Sequence, residues 1–317
     1  MIGPVLFIWL SWSILVQVKQ QANLEDAIRN IKEAAYGSRA PQFWMVLILM
    51  LLNWGLEALK WKWLLASLEK TSLLRSFKAV LAGVALALNT PNRIGEYGGR
   101  VLYVSEGKRI PAISLSIAGS FSQLIITLLM GGLGLIFSGQ AFLNTASAES
   151  MYLLARVLVW GVFTTATGCL LLYFRLGWIV RSFLRIPGLS YLVKQLAVLE
   201  NLNVTILLRV LALSFLRYLV FVLQYILLLQ VMHVEIAWWP AFWLIAILYL
   251  VLAVIPTITL LELGIRGKAS ILLFKLYSAN TVGIYATATG IWLVNLLVPA
   301  LAGSLLIIGV KIFNEKQ

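Results

Sequence analysis

Long apolar runs recur between residue 6 and residue 310, and short polar or glycine-rich stretches separate them. Six runs have the length that a membrane-crossing helix needs, which is roughly 20 residues. They cover residues 2–18, 43–66, 111–138, 151–174, 205–232 and 282–310. The pattern predicts an all-α integral membrane protein with about six transmembrane helices.

The first run, 2–18, resembles the apolar part of a signal peptide in length. No basic segment precedes it and no small-residue cleavage site follows it, so we expect a retained first helix.

Two further apolar runs, 77–90 and 241–255, are too short to span a bilayer. As helices they would rise about 21 and 22 Å, against about 30 Å of hydrocarbon. Each run meets a proline, Pro91 or Pro256. A polar, glycine-containing patch and a second short segment follow, at 97–107 and 262–277. This pattern predicts two re-entrant helical hairpins.

The two patches after the prolines share a Glu-x-Gly-x-Arg pattern. The matching positions are Glu96, Gly98 and Arg100 in the first patch and Glu262, Gly264 and Arg266 in the second. The same order of elements is found from residue 1 and again from residue 151. It consists of a span, an amphipathic linker, a second span, a hairpin and a third span. The linkers at 24–31 and 189–196 even repeat the same apolar spacing.

Three crossings in each half would invert the second half relative to the first. The sequence therefore predicts a single polytopic membrane domain, 1–317, built from inverted pseudo-repeat halves 1–150 and 151–317.

Charge distribution predicts the orientation of these spans. Lysines and arginines occur in 67–78, in 175–194 and in the C-terminal tail, whereas 139–150 and 233–240 contain none. The positive-inside rule then places both termini in the cytoplasm, with the protein in the cell membrane. The loop 19–42 goes against this scheme, because it is predicted to be external and yet contains basic residues.

Several polar residues lie within or beside the predicted spans. Lys60 and Lys62, next to Trp61 and Trp63, are expected to extend their ammonium groups to the inner membrane interface. A further group is expected to form hydrogen bonds between helices. These residues are Glu57, Arg217, Gln224 and Asn295.

The inventory of metal-binding side chains is small. Asp26 is the only aspartate, His233 the only histidine and Cys169 the only cysteine. Sites that hold magnesium with paired aspartates or zinc with histidines are hard to build from this set. We expect no metal, no cofactor and no nucleic-acid partner.

The charged patches after the prolines are the candidate site. A charge at the centre of a bilayer costs roughly 2.5–3.5 kcal/mol, so such residues usually face a cavity or a partner. Glutamate and arginine four apart can pair on one helix face, and the N-terminus of a half-helix attracts anions. Arg93, Arg100 and Arg266 would add positive charge that suits a phosphate. The alternative is a structural ion pair that joins the two hairpins.

At these residues the chain resembles the lysylphosphatidylglycerol synthase transmembrane-region family, which includes the flippase-like domain of the multiple peptide resistance factor. The family signature Thr-Pro-x-Arg-x-Gly-Glu is matched by Thr90, Pro91, Arg93, Gly95 and Glu96. The later family motif usually ends in Gly-Val-x-Glu. Pro256 and the stretch 262–267 match it in part, with the glutamate ahead of the glycine. Ser122 and Gln123 stand where many relatives have Glu-Arg.

The resemblance covers nearly the whole chain and implies movement of a phospholipid or related anionic amphiphile between leaflets. In this family aminoacyl transfer belongs to a separate soluble domain, so we expect this chain not to be an enzyme. The expected partners are membrane lipids with a phosphate headgroup.

Two alternative functions stay open. One is a membrane-embedded enzyme acting on a polyprenyl-linked or phospholipid substrate, with Glu96 or Glu262 as general base. The other is an accessory protein that binds lipid without moving it. The sequence also leaves open the headgroup, the direction, the energy source and the oligomeric state, a homo-oligomer included.

Overall fold

The fold is helical throughout the part of the chain that the structure, a computed structural model, describes. That part comprises residues 12, 33–88, 90, 93–143, 149–178, 195–255 and 259–308. The helices are α1 (Ala40–Leu65), α2 (Leu73–Ala87), α3 (Gly95–Val101), α4 (Arg109–Leu143), α5 (Glu149–Phe174), α6 (Val204–Val231), α7 (Trp238–Val254), α8 (Thr259–Phe274), α9 (Thr281–Trp292) and α10 (Val298–Ile308). A π-helical turn, Leu293–Leu297, joins α9 to α10.

Five helices among the described residues are long and apolar enough to cross a membrane. They are α1, α4, α5, α6 and the continuous helix that runs from α9 into α10. These coincide with five of the six predicted spans and confirm a multi-pass helical membrane protein. The predicted span 2–18, the linker 24–31 and most of the linker 189–196 lie outside the described residues.

The two predicted hairpins correspond to two pairs of short helices. Ser72 caps α2 by accepting a hydrogen bond from the Arg75 backbone N–H at 3.1 Å, and α2 ends at Ala87. The chain then turns, and α3 packs back onto α2. In the same way α8 contacts α7. The helix α3 is shorter than the predicted segment 97–107 because turns begin after Val101. Re-entrance into the bilayer stays a prediction.

Helices of the two predicted halves interlock rather than forming separate lobes. The long helices α1 and α6 pack along each other. The hairpin helix α2 packs on α10, and the corresponding helix α7 packs on α4. Each half therefore places its first hairpin helix against the last span of the other half. This reciprocal packing is compatible with the pseudo-two-fold relation of an inverted repeat, and the repeat itself stays a prediction.

Glycines on α3 and α10 bring two helices very close to α2. A Cβ on Gly99 would lie 2.4 Å from the Ala82 carbonyl oxygen and 2.5 Å from the Gly83 Cα. A Cβ on Gly303 would lie 1.9 Å from the Leu81 carbonyl oxygen. Any larger residue would collide with backbone, which cannot move aside as a flexible side chain can. The two glycines therefore fix α2 between α3 and α10.

Gly99→Ala should lower the unfolding free energy by about 1–3 kcal/mol, because the new methyl group overpacks the contact between α3 and α2. Gly98→Ala is the matched control, since a Cβ there meets nothing within 4 Å and alanine favours the helix. Thermal unfolding in detergent measures both. Equal losses in the two variants would contradict the close contact.

Candidate functional site

A network of buried charges connects α1, α3 and α6. At its centre is Glu57 on α1, which is 2% exposed. Its Oε1 accepts a hydrogen bond from Arg100 Nη2 at 2.7 Å, and its Oε2 lies 2.7 Å from Lys60 Nζ. The same Oε2 accepts a hydrogen bond from Arg217. One carboxylate thus joins three cations from three helices, and such a group is stable in a membrane only because its charges are paired.

The network continues along α3. Arg100 also donates to the carboxylate of Glu96, one turn earlier on the same helix. Arg93 Nη2 lies 3.9 Å from Glu96 Oε2, and its side chain is 42% exposed. The predicted pairing of Glu96 with Arg100 is therefore present. Arg100 itself is 1% exposed and lies behind Glu57 and Glu96, away from open space.

Aromatic rings surround the cations of the network. The Arg217 guanidinium lies 5.7 Å from the Trp54 ring centroid and 5.6 Å from that of Phe221. Its Nε donates to Asn53 Oδ1 at 2.8 Å. The Arg100 guanidinium lies 5.5 Å from the Trp61 ring. Ring faces attract cations more strongly where water is excluded, so these contacts help to hold the arginines in the membrane.

Lys60 is not an interfacial lysine, and that part of the sequence prediction is wrong. The residue is 1% exposed, and its ammonium lies 3.3 Å from the Gly119 carbonyl oxygen as well as close to Glu57. Lys60 can stay buried because Glu57, one turn earlier on the same helix, supplies a buried negative charge beside its ammonium group. The Ser122 hydroxyl, near this lysine, pairs with the Ser214 hydroxyl at 2.7 Å.

A cavity of about 420 Å³ lies beside this network, within the usual size range of ligand sites. Its charged lining comes from the network and from both broken-helix units, which are the helix pair α2 and α3 and the helix pair α7 and α8 with the turns between them. The charged lining residues are Glu57, Lys60, Arg93, Glu96, Arg217 and Arg266. Four cations and two carboxylates give this lining a formal charge of +2. The cavity can therefore attract an anion.

Thr90 and Gly95 shape the break between α2 and α3. Thr90 Oγ1 accepts a hydrogen bond from the Gly95 backbone N–H at 2.7 Å. A Cβ on Gly95 would lie 2.3 Å from the Leu86 carbonyl oxygen, so the turn admits only glycine there. Arg93, within this turn, has a φ of 58°, which is costly for a residue with a side chain. These contacts hold Arg93 where its side chain lines the cavity.

The remaining predicted site residues are only partly described. Gly98 and Gly264 are exposed, and a Cβ on either would meet nothing within 4 Å. Pro91 and Pro256 lie outside the described residues. So does the side chain of Glu262, and its pairing with Arg266 therefore stays a prediction.

Sequence reasoning missed the aromatic residues that line the cavity. The aromatic lining residues in the described chain are Trp54, Tyr97, Tyr218, Phe221, Tyr249 and Trp292. Gln224 does bond between helices, since its Nε2 donates to the Val46 carbonyl at 3.0 Å. For Asn295 that expectation is wrong, because neither amide atom has a hydrogen-bond partner among the described residues. Asn295 lies in the π-helical turn, a feature that is frequent at functional sites.

Comparison with known proteins identifies one family. The family described as "Lysylphosphatidylglycerol synthase TM region" has a model that matches residues 1–303. This match includes every residue of the charged network and of the cavity lining. No curated protein and no solved structure matches the chain.

Proposed function

The chain belongs to the lysylphosphatidylglycerol synthase TM region family, and from that membership we propose that it moves a phospholipid or related anionic amphiphile between leaflets. The family indicates a membrane protein that acts on lipids. The observation that carries the finer proposal is the cavity, because residues of both broken-helix units and of the long spans meet in it. Broken helices that meet at one site are typical of transporters with inverted repeats.

The charge of the cavity supports binding through a phosphate. Its described lining has a formal charge of +2, and a phosphodiester has one negative charge that it can bring close to guanidinium groups. The side chain of Arg93 is 42% exposed, whereas that of Arg217 is 8% exposed. A headgroup would therefore meet Arg93 first and Arg217 deeper inside.

The paired state of Glu96 bears on the alternative of a membrane enzyme. A general base must accept a proton from the substrate. The Glu96 carboxylate already accepts a hydrogen bond from Arg100 and lies near Arg93. No described feature of Glu96 favours that role over a structural one.

A lipid-movement assay tests the proposal directly. Purified protein in vesicles should speed the appearance of an acyl-chain-labelled phosphatidylglycerol in the opposite leaflet, compared with protein-free vesicles. The proposal fails if the protein moves none of phosphatidylglycerol, its lysyl ester and a polyprenyl phosphate. Lipid binding without movement, measured by native mass spectrometry, would instead support the accessory function.

A further inference from the structure

Several residues that line the cavity have buried hydrogen-bonding groups without a partner. Among the described residues, the following atoms are buried and have no hydrogen-bond partner: Trp54 Nε1, Tyr218 Oη, Tyr249 Oη, Trp292 Nε1, and Asn295 Nδ2 and Oδ1. A buried polar group left unpaired costs about 1–3 kcal/mol, so most such groups in proteins have a partner. A cluster around one cavity therefore indicates a ligand that supplies several oxygen atoms.

Asn295 is the best placed of these groups. It is 8% exposed and lines the cavity, and within the described part of the chain both of its amide atoms lack a partner. The π-helical turn that contains it has one extra residue compared with an α-helical turn, which changes the face on which the side chain lies. The amide can donate and accept at once, as a hydroxyl group requires of its partner.

The chemistry of the other groups also suits hydroxyl oxygens. An indole N–H only donates, and it needs an acceptor. The rings of Tyr218 and Phe221 each lie edge to face with that of Tyr249, at centroid distances of 6.0 and 6.2 Å. Such rings present apolar surface to the C–H groups of a polyol, while their neighbours donate to its oxygens.

The carboxylates of the described lining are already occupied. Glu57 pairs with three cations, and Glu96 pairs with Arg100 and lies near Arg93. The guanidinium of Arg217 already lies over the rings of Trp54 and Phe221. An amine headgroup would therefore bring its positive charge into a described lining whose formal charge is +2 and whose carboxylates are already paired.

We infer that the cavity selects a phosphate lipid whose headgroup is an uncharged polyol, such as glycerol or a sugar, over a lipid whose headgroup has an amine. Asn295 is the residue that hydrogen-bonds to the hydroxyl groups, and the lining arginines bind the phosphate. This inference rests on the proposed function, since it names the substrate class of the same site.

The test compares three acyl-labelled lipids in vesicles of one composition: phosphatidylglycerol, its lysyl ester and phosphatidylethanolamine. Phosphatidylglycerol should move at least about tenfold faster than either aminated lipid, because a site built around hydrogen bonds discriminates strongly. Equal or faster movement of an aminated lipid overturns the inference and leaves the proposed function intact. If none of the three moves, the proposed function fails for these lipids. Native mass spectrometry of an equimolar mixture then decides the headgroup preference, and equal binding overturns it.

Asn295→Leu should slow phosphatidylglycerol movement and bring its rate close to that of the aminated lipids, since leucine has the same branching and number of heavy atoms but no amide. Thr289→Val is the matched control, because Thr289 is also buried and unpaired on the same continuous helix but does not line the cavity. Equal slowing in both variants, or an unchanged preference in Asn295→Leu, would remove Asn295 from the recognition site.

Discussion

Glu57→Gln should lower the unfolding free energy of the protein by about 3–5 kcal/mol, the usual cost of breaking a buried ion pair from one side. Glutamine has nearly the volume of glutamate, so the variant tests charge rather than packing. Its amide would leave Arg100, Arg217 and Lys60 buried without the carboxylate that they share. Thermal or denaturant unfolding of the detergent-purified protein measures the loss.

Two further variants make this result specific to the network. Glu106→Gln removes an exposed carboxylate and should change stability by no more than about 0.5 kcal/mol. The double variant Glu57→Gln with Arg217→Gln should recover part of the loss, because it also removes one of the unpaired cations. A Glu57→Gln protein that unfolds like the parent would show that the three cations do not depend on Glu57.

Replacing Arg93 and Arg266 together by glutamine should slow lipid movement at least about tenfold. Such a decrease corresponds to about 1.4 kcal/mol of lost interaction with the phosphate. The change takes the formal charge of the described lining from +2 to 0. Neither arginine belongs to the three cations that hold Glu57, so the unfolding temperature should stay near that of the parent. Lipid movement in vesicles and thermal unfolding are measured on the same preparation.

Lys268→Gln is the control for this pair. Lys268 lies two residues from Arg266 on α8, is exposed and does not line the cavity. It should leave lipid movement unchanged, and unchanged movement in the double variant would argue against phosphate binding. Arg100→Gln should differ from both, since Arg100 is buried between two carboxylates and its loss should lower stability.

The helices and their breaks could be predicted from the sequence because both depend on neighbouring residues. The apolar run at 241–255 became a helix over Trp238–Val254, since length and hydrophobicity decide such a segment. The pairing of Glu96 with Arg100 follows in the same way from their spacing of four residues on one helix.

The centre of the site could not be predicted, because its contacts join distant parts of the chain. Glu57 meets Arg100 across 43 residues and Arg217 across 160. Only the packing of α1 against α6 and the fold of the first hairpin bring these residues together. Asn295 lies in a π-helical turn, which the apolar pattern of its helix does not indicate.

The close contact of Gly303 with α2 has a consequence for biogenesis. Residue 303 is synthesised 222 residues after Leu81, which is 303 minus 81, and its Cα fits against the Leu81 carbonyl. At about 5–20 residues per second this interval lasts roughly 11–44 s. During that time α2 has been made but lacks the helix that fits against it. Helix α2 must therefore stay in the membrane without its close contact to α10 until Gly303 has been synthesised.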